Sequence, residues 1–241
     1  MPDTNNPARE PNVALLIDAD NASPAALDAV LSVLAELGTV NIRRAYGNWV
    51  KPELKGWTER ALRYALEPQQ QFDLTKGKNA TDMKMTIDAM DLLYGGRVQG
   101  FGIMSSDCDF MPLVLRIRHE GIKVYGFGTS RAAEGFRPAC TRFFDVDALM
   151  GTAGGRGGEG NGKSAPDLDE EALTILIDAY NAAQRDENGF ANLSALGQLV
   201  SNRSSFDVRN YGFSRLSELF EALPNFSVEK RNDSLWVKRM R

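Results

Sequence analysis

Short apolar runs alternate with helix-periodic stretches over the first 150 residues, and that alternation predicts a β-α-β chain. Residues 13–17, 40–46, 70–74, 98–104 and 122–127 read as strands, with 142–144 as a short sixth. Residues 24–37, 53–66, 81–93, 110–119 and 132–138 read as helices between them. Pro24 follows Ser23, a capping residue ahead of a proline at the first helical position. Gly38 and Gly121 stand where their helices should stop. Strands and helices in this order imply parallel units with right-handed crossovers. Runs such as 13–17, with little polar alternation, fit a sheet covered on both faces.

The pattern then breaks. Residues 151–162 hold seven glycines in twelve positions, a stretch that loses too much entropy on ordering to join a core. A linker over 151–165 therefore separates a domain at 1–150 from a second at 166–241. In the second, 168–185 is an amphipathic helix entered through Asp167, with Glu170 three residues on as in a capping box. Helices at 193–200 and 213–223 follow, and Pro224 ends the last. Strands at 226–230 and 234–238, joined around Asn232 and Asp233, complete a winged-helix arrangement.

Composition narrows the class. The 241 residues are 43% hydrophobic with a formal charge of -4, enough for two modest cores and not a generally basic surface. Cys108 and Cys140 lie far apart without metal-ligand spacing, which fits a reducing compartment. No run reaches the roughly 18 apolar residues of a spanning helix, and residues 1–12 lack the apolar stretch of a signal peptide. The expectation is a cytoplasmic, soluble protein with no membrane partner.

The chemistry lies in four aspartates. Asp18 ends the first strand, Asp107 and Asp109 follow the fourth, and Asp82 opens the helix leading into it. In open α/β sheets, ligands bind beyond the carboxyl ends of the strands, where strand order reverses. With an order of 3-2-1-4-5, strands one and four are adjacent at that reversal, and the four carboxylates share one edge. Carboxylates this close raise each other's pKa unless a cation sits among them. Oxygen-only donors suit Mg²⁺ or Mn²⁺. Taken singly, Asp82 or Asp109 could equally be a helix cap. Asp20 faces away from Asp18, caps the helix at Pro24, or takes a direct part in the site. Asp88, six residues past Asp82, is off its helical face. Asn21 and Ser105 could orient a phosphate or a metal-bound water. Arg43 and Arg44, Lys51 and Lys55, and Lys76 and Lys78 surround the acidic edge with positive charge, and Tyr46 and Trp49 could stack on unpaired bases. Trp57 reads as packing, and His119 as a residue at a helix end.

Three segments resemble signature motifs of NYN domains, in the LabA-like branch of the PIN-like ribonuclease superfamily. They are Leu15-Leu16-Ile17-Asp18-Ala19-Asp20-Asn21, then Lys78-Asn79-Ala80-Thr81-Asp82 continuing to Asp88, then Ile103-Met104-Ser105-Ser106-Asp107-Cys108-Asp109-Phe110. The resemblance covers about residues 12–147. It implies a PIN-like, Rossmannoid three-layer α/β fold with a central parallel sheet. It further implies that Asp18, Asp82, Asp107 and Asp109 bind Mg²⁺ or Mn²⁺, with Asn21 supporting, for hydrolysis of RNA. Ser106 stands where the family more often has glycine.

The last 39 residues, from Arg203, carry eight basic and five acidic side chains, against three and eight over 151–202. Arg203, Arg209, Arg215, Lys230, Arg231, Lys238, Arg239 and Arg241 could lie along phosphates. With Tyr211-Gly212-Phe213-Ser214-Arg215-Leu216-Ser217-Glu218-Leu219-Phe220 and Leu235-Trp236-Val237, the chain over about 167–241 resembles the OST-HTH/LOTUS domain, whose members bind RNA or protein partners. Tyr211, Phe213, Leu216, Leu219 and Trp236 read as its core. The functional expectation is a metal-dependent ribonuclease with a C-terminal RNA-binding domain. The competing readings are a non-catalytic RNA- or protein-binding regulatory module, and a small-molecule phosphatase using Asp18 as nucleophile. The phosphatase lacks its companion serine, threonine and lysine motifs.

Overall fold

The structure is a computed structural model that describes residues 10–72, 79–129, 135–153 and 168–240. The chain divides into two compact units, Met1–Thr141 and Arg142–Arg241. In chain order the strands are β1 (Asn12–Asp18), β2 (Thr39–Gly47), β3 (Glu67–Gln70), β4 (Gly100–Met104), β5 (Lys123–Gly128) and β6 (Arg142–Asp145). Among them run α1 (Leu27–Ala35), α2 (Lys55–Tyr64), α3 (Ala80–Tyr94), α4 (Met111–His119) and the short α5 (Phe136–Ala139). The sheet order is β3-β2-β1-β4-β5-β6, and the β1–β2, β1–β4, β2–β3 and β4–β5 pairings are all parallel. The order reverses between β1 and β4, in agreement with the order assumed from the sequence.

Residues 13–17 of β1 and all of β4 are buried, because helices cover both faces of the sheet centre. Gly102 in β4 permits this closeness. A side chain there would meet Leu34 of α1 at 3.0 Å and Leu15 at 3.3 Å. Gly121 adopts φ 75°, the left-handed turn expected of a helix stop. Ser23 takes the N-cap position before Pro24 but makes no side-chain cap bond, and Pro24–Ala26 is a 3-10 turn ahead of α1.

Two elements differ from expectation. The third strand is Glu67–Gln70 rather than 70–74, of which residues 73 and 74 lie outside the described residues. Pro68 reads as a breaker in sequence, yet an edge strand tolerates a residue without an N–H. A further helix, α6 (Val146–Ala153), runs through Gly151, where the linker was expected to begin. Residues 154–165 of that linker, Asp167, and residues 132–134 of the fifth expected helix lie outside the described residues.

In the second unit, α7 (Glu170–Ala182), α8 (Leu193–Arg203) and α9 (Leu216–Ala222) pack with β7 (Ala191–Asn192), β8 (Phe226–Arg231) and β9 (Ser234–Arg239). The strand order is β7-β9-β8, antiparallel throughout, so the expected hairpin gains a two-residue strand. The cap of α7 is Asp169, which accepts the Ala172 N–H at 2.7 Å, and not Asp167. Leu176, Tyr180, Leu196, Phe220, Phe226 and Val237 are core residues there, with Phe226 meeting Tyr180 and Phe220 edge-on. Of the five residues expected in that core, Leu219 is fully buried, while Tyr211, Phe213, Leu216 and Trp236 are half-buried.

Candidate functional site

The candidate site forms where β1 and β4 end side by side. Asp18, the last residue of β1, is completely buried. Its Oδ2 accepts from Asn21 Nδ2 and from Ser105 Oγ, each at 2.9 Å. Its Oδ1 is buried with no hydrogen-bond partner among the described residues. Burial pushes the Asp18 carboxyl above its ordinary range, the two donors pull it back, and the Asp20 charge pushes it up further. Trp57, buried in α2 as expected, donates its indole N–H to the Ala19 carbonyl at 3.2 Å and so supports the turn after Asp18.

Beyond β4 the chain turns through Ser105, whose Oγ also accepts the Asp107 N–H at 3.1 Å. Asp107 accepts the Asp109 N–H at 2.9 Å and caps the 3-10 turn Cys108–Phe110. Carboxylate oxygens of Asp107 and Asp109 and the Cys108 sulfur lie within 4.8 Å of one another, close enough to share one ion. Asp82 enters from α3. Burial first, then the charges of Asp18, Asp107, Asp109 and Asp20, push its carboxyl up to about 6. Asp82 therefore feels the charges of the three other expected carboxylates, while among the described residues the ligand atoms that lie within 4.8 Å of one another are those of Asp107, Cys108 and Asp109.

Several expected residues have other occupations. Tyr46 is fully buried and its hydroxyl donates to Asp88 at 3.2 Å, so it cannot stack on a base. Arg43 spends its guanidinium on the carbonyls of Val40 and Tyr64, at 3.0 and 2.9 Å. Arg44 pairs with Glu67 at 3.0 Å and faces Asp88 at 3.6 Å. The strand register explains this: Tyr46 is opposite Asp18, which leaves Arg43 and Arg44 below the rim. Trp49 does reach the rim, half-buried, with its indole N–H on the Gln69 carbonyl at 3.1 Å. Ser105 is buried and committed to Asp18, so it orients that carboxylate rather than a phosphate. Lys76 and Lys78 lie outside the described residues. His119 is exposed in the last turn of α4, and Cys140 is buried with its thiol pushed up to about 12 by that burial. In the second unit, Arg231 is tied to Asp186 and Glu229, both at 2.7 Å, and Arg209 faces buried Asp207 at 3.8 Å. Arg203, Arg215, Lys230 and Arg239 are exposed.

The sequence reading also passed over residues. Asp20 neither turns away nor caps the helix at Pro24. Its Oδ2 accepts from Thr81 Oγ1 at 2.9 Å and its Oδ1 meets Lys51 Nζ at 3.4 Å. Asn79 donates to Asp109 Oδ2 at 2.8 Å. Both Asn79 and Thr81 stand inside the motif that ends at Asp82, but neutral side chains draw no notice beside four acids.

A parallel α/β sheet with carboxylates gathered at its switch point is the architecture of PIN-like domains. The chain belongs to the NYN domain family, whose model matches residues 12–147. The OST-HTH/LOTUS domain model matches residues 163–237. NYN domains are ribonuclease-like and OST-HTH/LOTUS domains bind RNA. A relative, the uncharacterized protein MJ0482 of Methanocaldococcus jannaschii, is 28% identical over 146 residues, 59% of this chain. The chain spans 56% of that relative's length. A protein of unknown function from Vibrio parahaemolyticus, VPA0982, has a crystal structure similar at a TM-score of 0.49 and 19% identity. That likeness covers 60% of this chain and 98% of the other. Among the described residues, no helix is long and apolar enough to cross a membrane.

Proposed function

We propose that the chain is a divalent-metal-dependent ribonuclease of the LabA-like kind, hydrolysing RNA phosphodiesters at the β1–β4 rim. In this reading residues 1–150 form the nuclease domain, 151–165 a glycine-rich linker and 166–241 an RNA-binding domain that can also take a protein partner. The observation that carries it is the Asp18 carboxylate: buried, held by two donors on one oxygen, and unpartnered on the other among the described residues. A buried, unpaired carboxylate oxygen that also feels the charge of Asp20 is costly without a cation. All-oxygen donors fit Mg²⁺ or Mn²⁺, so the residues suit the ion the family implies.

Asp18 and Asp107 would hold the ion directly, and Asp82 and Asp109 would complete its shell. A bound ion would supply positive charge for the scissile phosphate and a lowered pKa for the attacking water. The chain's own part is geometric. Asn21 and Ser105 fix Asp18 Oδ2, which leaves Oδ1 as the donor, and Ser105 carries the same constraint to Asp107 through its N–H. Trp49 offers the rim an aromatic surface for an unpaired base, while Lys76 and Lys78 add phosphate contacts ahead of Asp82. The exposed, unpaired thiol of Cys108 suits a reducing, cytoplasmic setting.

The deciding assay incubates single-stranded and structured RNA with the full chain in Mn²⁺, Mg²⁺ or chelator, beside the Asp107→Asn variant. Cleavage that needs the ion and drops at least about a hundredfold in the variant is the expected result. Chelator-insensitive cleavage, or equal cleavage by the variant, refutes it. RNA bound but uncut leaves a non-catalytic regulatory module.

A further inference from the structure

Asp18 ends β1 and Asp107 lies three residues past β4, and both are tied to Ser105, whose Oγ donates to Asp18 and accepts the Asp107 N–H. Asp82 has no such anchor. It rides on the first turn of a helix whose placement must be fixed by contacts of its own. Two hydrogen bonds hold the residues just ahead of it. Asn79, the N-cap residue of α3, donates to Asp109 Oδ2 on the β4 side. Thr81, one residue before Asp82 and 6% exposed, donates to Asp20 Oδ2 on the β1 side. Lys51 lies against the other oxygen of Asp20, so that carboxylate is set between a hydroxyl and a cation.

We infer that Thr81 and Asn79 are positioning residues that tie the start of α3 to both strand ends and thereby hold Asp82 at ligand distance from the ion. Asp20 serves as the anchor for Thr81 and not as a ligand. The inference rests on the metal-centre reading above and adds the residues that make the centre rigid. A carboxylate placed by a helix delivers its full effect only when partners beyond it restrict its motion, and loss of such a partner typically weakens metal binding by about 10–100-fold. Valine in place of Thr81 keeps the shape and removes only the donor, whereas serine keeps the donor.

The test measures Mn²⁺ affinity of the full chain by electron paramagnetic resonance and calorimetry for wild type, Thr81→Val, Thr81→Ser and Asn79→Ala. Melting curves in chelator run alongside. Thr81→Val and Asn79→Ala should each bind Mn²⁺ about tenfold more weakly. Thr81→Ser should stay within about threefold of wild type, because it retains the hydroxyl. The cleavage defect of Thr81→Val should shrink as Mn²⁺ is raised, while KM for RNA stays put. Unchanged Mn²⁺ affinity in Thr81→Val, or an equal loss in Thr81→Ser, overturns the inference and leaves the nuclease reading intact. A wild type that binds no Mn²⁺ overturns both.

Discussion

Replacing Asp18 with asparagine should make the metal-free protein more stable and the metal-loaded protein inert. The reasoning starts from burial: Asp18 is fully enclosed, its Oδ1 has no partner among the described residues, and neighbouring carboxylates add repulsion. A buried acceptor left unpaired costs about 1–3 kcal/mol, more when it is charged. An amide has the same shape and can keep its oxygen in the place of Oδ2, between Asn21 and Ser105. Removing the charge should therefore return about 2 kcal/mol, less whatever the new amide N–H₂ loses by facing few acceptors. At about 2–4 °C per kcal/mol for a chain of this size, Tm in chelator should rise by roughly 4–8 °C. Wild type should gain from the ion instead, by about 2.7 kcal/mol when Mn²⁺ stands a hundredfold above Kd. Differential scanning calorimetry of both proteins, in chelator and in Mn²⁺, reads the crossing directly. A variant that melts below wild type in chelator, or one that Mn²⁺ stabilises as much as wild type, refutes the reasoning.

Three further outcomes follow from other parts of the molecule. The Asp82 carboxyl is raised to about 6 from 3.8, so the folded metal-free protein holds extra proton between those values and loses stability as pH rises across that window. Below about pH 6 an incoming ion must displace that proton, so Mn²⁺ affinity measured by calorimetry should fall toward acid pH; a flat profile from pH 7.5 to 5 counts against it. Tyr46→Phe should cost about 1–2 kcal/mol in urea unfolding, because Asp88 loses a buried donor, with kcat/KM within about threefold of wild type. A drop in RNA affinity without a stability change would show instead that the hydroxyl meets substrate. Lys76→Ala with Lys78→Ala should lower the slope of log Kd against log salt for single-stranded RNA by about 1.4, at roughly 0.7 per phosphate contact. An unchanged slope removes both lysines from the interface.

The parallel sheet, Asp18 at the end of β1 and Asp82 in the first turn of α3 were legible because each depends on where elements end. Apolar runs mark those ends plainly. What a side chain does once there was less legible. Arg43, Arg44 and Tyr46 looked like a basic, aromatic fringe, but β2 is an inner strand with cover on its faces, and the register sinks these residues below the rim. The bond from Ser105 to Asp18 was not legible, since sequence cannot tell a hydroxyl facing a carboxylate from one facing substrate. Asp20 was misplaced because the chain turns directly after β1 and brings its carboxylate round to Thr81. The helix Val146–Ala153 was hidden by the glycines that begin at its sixth residue.

The short outer strand β3 bears on how the molecule behaves in a crowded cell. Its four residues include Pro68, which offers no N–H, and Glu67, which is engaged by Arg44. A foreign strand seeking to extend the sheet along that border would find an interrupted row of donors and a charged flank. This margin is thereby guarded against fibrous self-association.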